Sequence, residues 1–307
     1  MNRTTTGVVL AVGTAIISGL AIFLNSFAVK QLSDAAVFTT LKNGIAAVAL
    51  LAVVGLLMAR RPRRPLPALG RRSIVGLTVI GIVGGSVPFL LFFTGLAMAS
   101  APSAAFIHKT LFIWVALLAV PFLGERLGWL QIGAMGALVA SQLLITPPNG
   151  VIWGVGETMI AAATLLWSVE VVLAKKLMAR VDPLVVGAGR LGIGLVLLLG
   201  YLGVTGKLGL IGLLTLEQWS WVLVTGVVLA GYVGTWLAAL QRAPATVVTS
   251  VLVLGAPITA LLDVVARGTV PAATPLIGHA LIVGAAALLI VVAMRRAPAN
   301  PRPTARA

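Results

Sequence analysis

Long apolar stretches alternate with short polar breaks along nearly the whole chain. Most of these stretches reach about 18 residues, a length at which a helix crosses the roughly 30 Å hydrocarbon core of a bilayer. We therefore expect an all-α membrane protein. The pattern predicts ten transmembrane helices, at residues 7–28, 37–58, 74–99, 102–123, 128–146, 152–174, 183–205, 219–240, 244–265 and 275–294.

Composition supports the same fold class. Hydrophobic residues make up 60% of the 307 residues and charged residues only 9%. So few charges could not keep the surface of a soluble domain hydrated. The chain has no cysteine, and His108 and His279 are not at the spacing of metal ligands. We therefore predict neither a metal site nor a cofactor.

The net charge of +15 would suit a nucleic-acid partner, but its placement points to a membrane. With the N-terminus inside, 16 of the 22 Lys and Arg residues fall on the cytoplasmic side. Three fall on the opposite side, and Lys42, Lys109 and Arg190 lie within spans. This asymmetry predicts that both termini are cytoplasmic. We expect a multi-pass protein of a bacterial inner membrane, with the lipid bilayer and not nucleic acid as its surroundings.

The chain contains a weak internal repeat. Three residues of the first half recur in the second half 148 residues later, and the pair Ala101–Pro102 recurs as Ala243–Pro244 after 142 residues. The three are Asp34, Lys42 and Gly44, which recur as Asp182, Arg190 and Gly192. Because each half has five spans, the second repeat is inverted across the membrane. We predict a first repeat at 1–147, a second at 148–296 and a disordered cytoplasmic tail at 297–307.

Charged side chains within spans cost roughly 2.5–3.5 kcal/mol each on insertion scales, so each requires a reason. Lys109 lies near the centre of the fourth span, where it either meets a ligand carboxylate or a proton or forms a buried ion pair. Lys42 and Arg190 are equivalent in the two repeats, which favours a structural or gating role, such as contact with the carbonyls of broken helices, over the alternative of direct substrate contact. Glu170 is a candidate for proton coupling or an internal gate, and a salt bridge is an equal alternative.

Aromatic and polar side chains within the spans are candidates for lining a central cavity. Interior aromatic side chains either stack on a ligand or fill space between helices, and a lone histidine more often satisfies a backbone carbonyl. The predicted cavity residues are Lys109, His108, Trp114, Trp167, Ser168, Tyr232 and Trp236.

Prolines and glycines mark predicted hinges in the third and ninth spans. Pro88 and Pro257 lie near the middle of these spans, and each frees a backbone carbonyl. A free carbonyl at this depth is tolerated only against protein or a water-filled cavity. Gly84 and Gly85 thin the third span just before Pro88, so we predict that both spans can bend.

Short motifs in a fixed order resemble the EamA-type branch of the drug/metabolite transporter superfamily. The motifs are Ser18–Gly19, Lys42, Ala97–Ala105, Phe122–Arg126, Leu166–Ser168, Lys175–Lys176, Arg190, Leu240–Pro244 and Gly255–Pro257. Two positions depart from the family pattern. Trp114 and Val115 stand where a proline is expected, and Ala266–Arg267 stands in place of a second Gly-Glu pair. Within the family, the chain is most similar to bacterial amino-acid exporters of the YddG type.

The resemblance implies a secondary transporter, not an enzyme. It would export aromatic and other neutral amino acids, or related small metabolites, by alternating access, with protons as a candidate coupling ion. We expect a monomer or a weak homodimer. The alternative is a multidrug or organic-cation proton antiporter. Small antiporters of that type depend on an acid in their first helix, whereas the first span here has none.

Overall fold

The computed structural model describes residues 2–32, 34–60, 69–147, 153–268 and 270–295, and within these ranges it is helical without any strand. Short 3-10 turns lie at Leu208–Leu213 and Leu252–Leu254. The α-helices are α1 (Arg3–Gln31), α2 (Ala35–Ala59), α3 (Arg71–Val83), α4 (Val87–Met98), α5 (Ala101–Lys109), α6 (Leu111–Leu123), α7 (Trp129–Ile145), α8 (Val155–Leu177), α9 (Pro183–Val204), α10 (Leu216–Arg242), α11 (Ala245–Val251), α12 (Gly255–Arg267) and α13 (Ala273–Arg295).

The helices correspond to the ten predicted spans. Within the described ranges, nine helical segments are long and apolar enough to cross a membrane. The fifth predicted span is α7, whose 17 residues cover about 25 Å at the helical rise. Large apolar side chains such as Val48, Leu56 and Val196 are exposed on the outer faces, as lipid contact requires. The predicted tail at 297–307 lies outside the described residues, and the side of each terminus stays a prediction from charge.

Two of the predicted spans are broken near their middle, close to the prolines at which a bend is predicted. The third span divides into α3 and α4 at Gly84–Ser86, and the ninth divides into α11 and α12 at the 3-10 turn. Proline has no N–H to donate to the carbonyl four residues earlier. Pro88 therefore leaves the carbonyl of Gly84 without a helical donor, and Pro257 does the same to Val253.

The fourth span is broken without such a proline. α5 ends at Lys109 and α6 begins at Leu111. Between them the hydroxyl of Thr110 donates to the carbonyl of Ile107 at 2.7 Å, and the backbone N–H of Thr110 donates to the same carbonyl at 3.1 Å. A threonine side chain that competes for a carbonyl in this way tightens and bends a helix. Discontinuous helices that meet near the bilayer midplane are typical of transporter binding sites.

The two repeats are intertwined. The most extensive helix pairs each join one repeat to the other: α1 with α10, α4 with α8, α2 with α9, and α7 with α13.

Two glycine contacts reflect the inverted repeat. A Cβ on Gly85 would overlap the carbonyl of Arg190, and a Cβ on Gly226 would lie 3.0 Å from the carbonyl of Lys42. Since Lys42 and Arg190 are equivalent positions, each repeat brings a glycine against the same point of the other.

An ion pair joins the start of α2 to the segment after α9. Lys207 Nζ lies 2.7 Å from Asp34 Oδ2, and Asp34 also accepts from the backbone N–H groups of Ala36 and Val37. Burial raises the pKa of Asp34, but the hydrogen bond from Lys207 and those from the backbone outweigh it, so the pKa lies below 3.8. The hydrogen bond to Asp34 raises the pKa of Lys207 above 10.5.

We expect this contact to stabilise the fold near neutral pH and to weaken in acid. Because the folded-state pKa of Asp34 is lowered, its contribution is present above pH 3.8 and is lost as the pH falls through the folded-state value. The raised pKa of Lys207 places the other limit above pH 10.5, where the contribution is lost as the lysine deprotonates. Both side chains are partly exposed, so the contribution is below about 1 kcal/mol.

Thermal unfolding of Lys207→Gln and the parent protein in detergent tests this expectation. The Tm difference between them should be larger at pH 7 than at pH 3. An equal difference at both values would show that the carboxylate of Asp34 does not carry the effect.

Candidate functional site

Arg190 and Glu170 form a buried ion pair between α9 and α8. Arg190 Nε binds Glu170 Oε1, and Arg190 Nη2 lies 3.2 Å from Glu170 Oε2. The two side chains are 6% and 1% exposed. A buried pair of this kind is tolerated only when further hydrogen bonds complete its surroundings. The pair carries no net charge while it stays intact.

The carbonyl of Gly84 supplies one of those further bonds. It accepts from Arg190 Nη2 at 2.9 Å and from Trp167 Nε1 at 3.2 Å. These two side chains replace the helical donor that Pro88 removes. A Cβ on Gly84 would overlap the carboxylate of Glu170, so the glycine is needed for this close approach. The break in the third span is thereby fixed to both α8 and α9.

A row of rings continues from this break along α4. Phe89 and Phe92 each lie against Trp167, with ring centroids 5.3 and 5.5 Å apart, and His108 lies 5.1 Å from Trp167. The ring centroids of Phe92 and Phe93 are 5.4 Å apart, and the two rings meet edge to face. Such pairs add to the energy of burial and orient the rings. We refer to Phe89, Phe92, Phe93, His108 and Trp167 as the aromatic row.

Cationic side chains lie at both ends of the aromatic row. Lys42 Nζ is 5.3 Å from the ring centroid of Phe93 and 5.0 Å from that of Phe38. At the other end, the Arg190 guanidinium is 5.6 Å from the Phe89 centroid. A cation over an aromatic face is stabilised by the electron-rich surface of the ring.

Trp236 and Tyr232 extend the site beyond Arg190. The guanidinium lies 5.8 Å from the Trp236 ring, and Tyr232 stacks on Trp236 with centroids 6.4 Å apart. Both residues belong to α10, one turn apart, and thus share a helix face.

Lys109 ends α5, immediately before the break in the fourth span. It is partly buried and directly follows His108 of the aromatic row. Within the described part of the chain, no acid lies within 4.0 Å of Lys109 or Lys42. The ion pair considered for Lys109 is therefore not present among these residues. The free carbonyls at the end of α5 instead favour a cation at this position.

All seven acidic residues lie within the described ranges, and each has another role or is exposed. Basic side chains pair with four of them: Glu170, Glu125, Asp34 and Asp263. A backbone N–H at the start of the same helix donates to two more, Asp182 and Glu157. The seventh, Glu217, is exposed in the first turn of α10. None remains for the two lysines.

Three predicted residues lie apart from this arrangement. Ser168 is fully buried, and its hydroxyl donates to the carbonyls of Thr164 and Leu165 in its own helix. Trp114 is 40% exposed on α6, where its indole N–H donates to Thr110. Pro257 lies in the first turn of α12, beyond the break in the ninth span.

Phe89, Phe92 and Phe93 were missed by sequence analysis, because phenylalanine in a span is ordinarily lipid-facing or packing. A signal was available, since they follow Pro88 and Phe89 and Phe93 are four residues apart on one face of α4. Glu125, which the sequence marks only as part of a motif, makes several contacts between spans.

Comparison with known proteins places this arrangement in a family. The family described as "EamA-like transporter family" matches residues 5–146 and again residues 154–291. A solved structure titled "Crystal structure of protein" is similar with a TM-score of 0.77, covering 94% of this chain and 99% of that chain. Its sequence identity is 19%, so it shows the fold alone. No curated protein matches. Two matches that together span nearly the whole chain show that it belongs to the EamA-like transporter family, within the drug/metabolite transporter superfamily.

Proposed function

We propose that this transporter exports aromatic and other neutral amino acids, or related small carboxylates, across a bacterial inner membrane by alternating access. The observation that carries the proposal is the combination of two lysines without acidic partners and the aromatic row between the broken spans. The finer placement near amino-acid exporters of the YddG type rests on the sequence resemblance.

A substrate carboxylate would supply the partner that the lysines lack. A charge at this depth costs roughly 2.5–3.5 kcal/mol, and a carboxylate beside it offsets part of that cost. Lys109 is the better candidate for direct contact, because it lies at a helix break and is less buried than Lys42, which is 4% exposed. Trp167 is only partly buried, so its face can stack on an aromatic substrate side chain.

The organic-cation alternative is less compatible with the charges. A cationic substrate requires an anionic or strongly electronegative partner at membrane depth. Glu170 is the most buried acid, at 1% exposure, and Arg190 already binds both of its oxygens. Glu157 hydrogen-bonds the backbone N–H of Gly154 near the start of α8. The electrostatics of the site thus favour a substrate with an anionic group.

Transport in liposomes tests the proposal with a matched pair of probes. Labelled phenylalanine and labelled phenethylamine differ by a single carboxylate, so they separate the two alternatives. We expect flux above that of empty vesicles for phenylalanine and none for phenethylamine. Flux of the amine alone would support the antiporter, and no flux of any amino acid would overturn the proposal. Repeating the assay with an imposed pH gradient identifies proton coupling.

A further inference from the structure

Glu125 joins the fourth span to the first turn of the ninth. It follows α6, and its carboxylate accepts from the backbone N–H of Ala245 at 2.5 Å and that of Thr246 at 3.0 Å. The Thr246 hydroxyl also donates to it at 2.8 Å. The first N–H groups of a helix have no partner within the helix. Pro244, which precedes α11, offers no side-chain cap, so a carboxylate from another span fills that role.

Lys175 extends this contact to a third and a fourth helix. Its Nζ, at the end of α8, lies 3.7 Å from Glu125 Oε1. It also donates to the carbonyl of Leu240 at 3.0 Å and to that of Ala243, where α10 ends. We call Glu125, Lys175 and the backbone of 240–246 the clasp. It connects α6, α8, α10 and α11 at one end of the molecule.

The clasp closes that end around α11. All seven residues of α11 are buried, as is Ala243 before it. α1 also packs tightly here, since a Cβ on Gly7 would lie 2.7 Å from the backbone nitrogen of Ala243. The helices at this end are therefore closely packed around α11.

The opposite end has no equivalent clasp among the described residues. Ala266–Arg267 occupies the place of the Gly-Glu pair, and Arg267 turns to α1. It donates to Ser26 Oγ at 2.7 Å and lies 4.2 Å from the ring centroid of Phe27. α5, the counterpart of α11, is capped by its own Ser100. Among the described residues, the two ends of the molecule thus differ in one connection: a carboxylate from another span caps the broken helix at the Glu125 end and not at the Arg267 end.

We propose that the clasp locks one of the two gates, and that this structure represents the state closed at the Glu125 end. The charge asymmetry predicts that this end faces the cytoplasm. Alternating access then requires the Glu125 carboxylate to leave Ala245 and Thr246 each time the gate opens. The proposal concerns the gate alone and holds whatever the substrate is.

Cysteine labelling tests the lock directly, because the chain has no cysteine of its own. Val248→Cys places a reporter on α11 at a position that is fully buried in this structure. A membrane-impermeant maleimide is applied to vesicles of each orientation, without substrate. We expect slow labelling of the reporter with Glu125 intact. With Glu125→Ala it should be at least about tenfold faster from the Glu125 side, since a lost hydrogen bond to a charged group supplies that factor.

Glu217→Gln is the matched control, because Glu217 is an exposed acid at the start of α10. It should leave the labelling rate unchanged. If Glu125→Ala prevents folding, Lys175→Gln serves as the second variant, since it keeps the cap on α11 and frees only the end of α10. A folded, monodisperse Glu125→Ala protein that labels at the parent rate would show that Glu125 is a static cap and would overturn the proposal. If only Lys175→Gln folds, an unchanged labelling rate would show that the clasp does not restrain α11 and would likewise overturn it.

Discussion

Arg190→Met should destabilise the protein more than the double substitution Arg190→Met with Glu170→Gln. The single change leaves Glu170 charged and buried without its partner, which costs about 3–5 kcal/mol. The double change removes both charges, so most of that cost disappears. Thermal unfolding in detergent measures the difference, and the four proteins of the double-substitution cycle give the coupling between the two side chains directly.

The double variant should regain stability but not transport activity. In the double variant, the Gly84 carbonyl keeps only Trp167 as a donor, and the break in the third span is no longer fixed to α9. We expect amino-acid flux at least about tenfold below that of the parent, the effect of one lost charged hydrogen bond. Lys42→Met is the control for a buried cation without an acid, and it should not lower Tm. Additive losses in the cycle would contradict a tightly coupled pair.

Lys109→Gln should lower amino-acid transport by roughly 10- to 100-fold, the range that one hydrogen bond to a charged group supplies. The loss should appear mainly as a higher apparent KM, because the lysine is proposed to contact the substrate carboxylate. Stability should be unchanged or improved, since no acid among the described residues loses a partner. Lys109→Arg, which keeps the charge, should retain part of the activity.

Trp114→Phe is the matched control on the same span. Its indole N–H donates to Thr110 one turn earlier in the same span, and the side chain is 40% exposed, so transport should stay near that of the parent. A Lys109→Gln protein that is folded and transports phenylalanine with an unchanged KM would remove Lys109 from the substrate site. A large fall in Tm would instead indicate a structural role.

Hydrophobic length predicted the spans well, because a helix in a bilayer must satisfy its own backbone. The second predicted span, 37–58, corresponds to Ala35–Ala59, and the seventh, 183–205, to Pro183–Val204. Helix ends extend by a few residues where a polar cap such as Asp34 is available. The internal repeat can also be predicted from the sequence, because equivalent positions keep similar residues in both halves.

The breaks were predicted less completely. The third span is divided at Gly84–Ser86, a segment that contains Gly84 and Gly85 of the predicted hinge. In the ninth span the irregular turn lies one helical turn before Pro257, because the proline acts on the carbonyl four residues earlier. In the fourth span, Pro102 lies at the start and Pro121 near the end, so no proline marks the break at Thr110. This break depends on a hydroxyl of Thr110 that many helices accommodate without bending.

The sequence does not predict which side chains pair with one another, because the pairing depends on how the helices pack. Glu170 and Arg190 are 20 residues apart, but the Gly84 carbonyl that completes their site is 106 residues from Arg190. Glu125 meets Thr246 across 121 residues. Each residue was recognisable as unusual because of its charge or its motif. The choice among many eligible partners is made only by the three-dimensional arrangement.

The glycine contacts between the repeats have a mechanical consequence. At Gly85 and Gly226 one helix lies directly on a backbone carbonyl of another, with no side chain from the glycine between them. Interlocked side chains must leave their grooves before two helices can slide. At Gly85 the nearest atoms all belong to the backbone, so little has to disengage there, whereas at Gly226 the side chain of Ile45 also packs against the glycine. We therefore expect relative sliding of the repeats to be easiest at Gly85, and Gly85→Val to obstruct that movement.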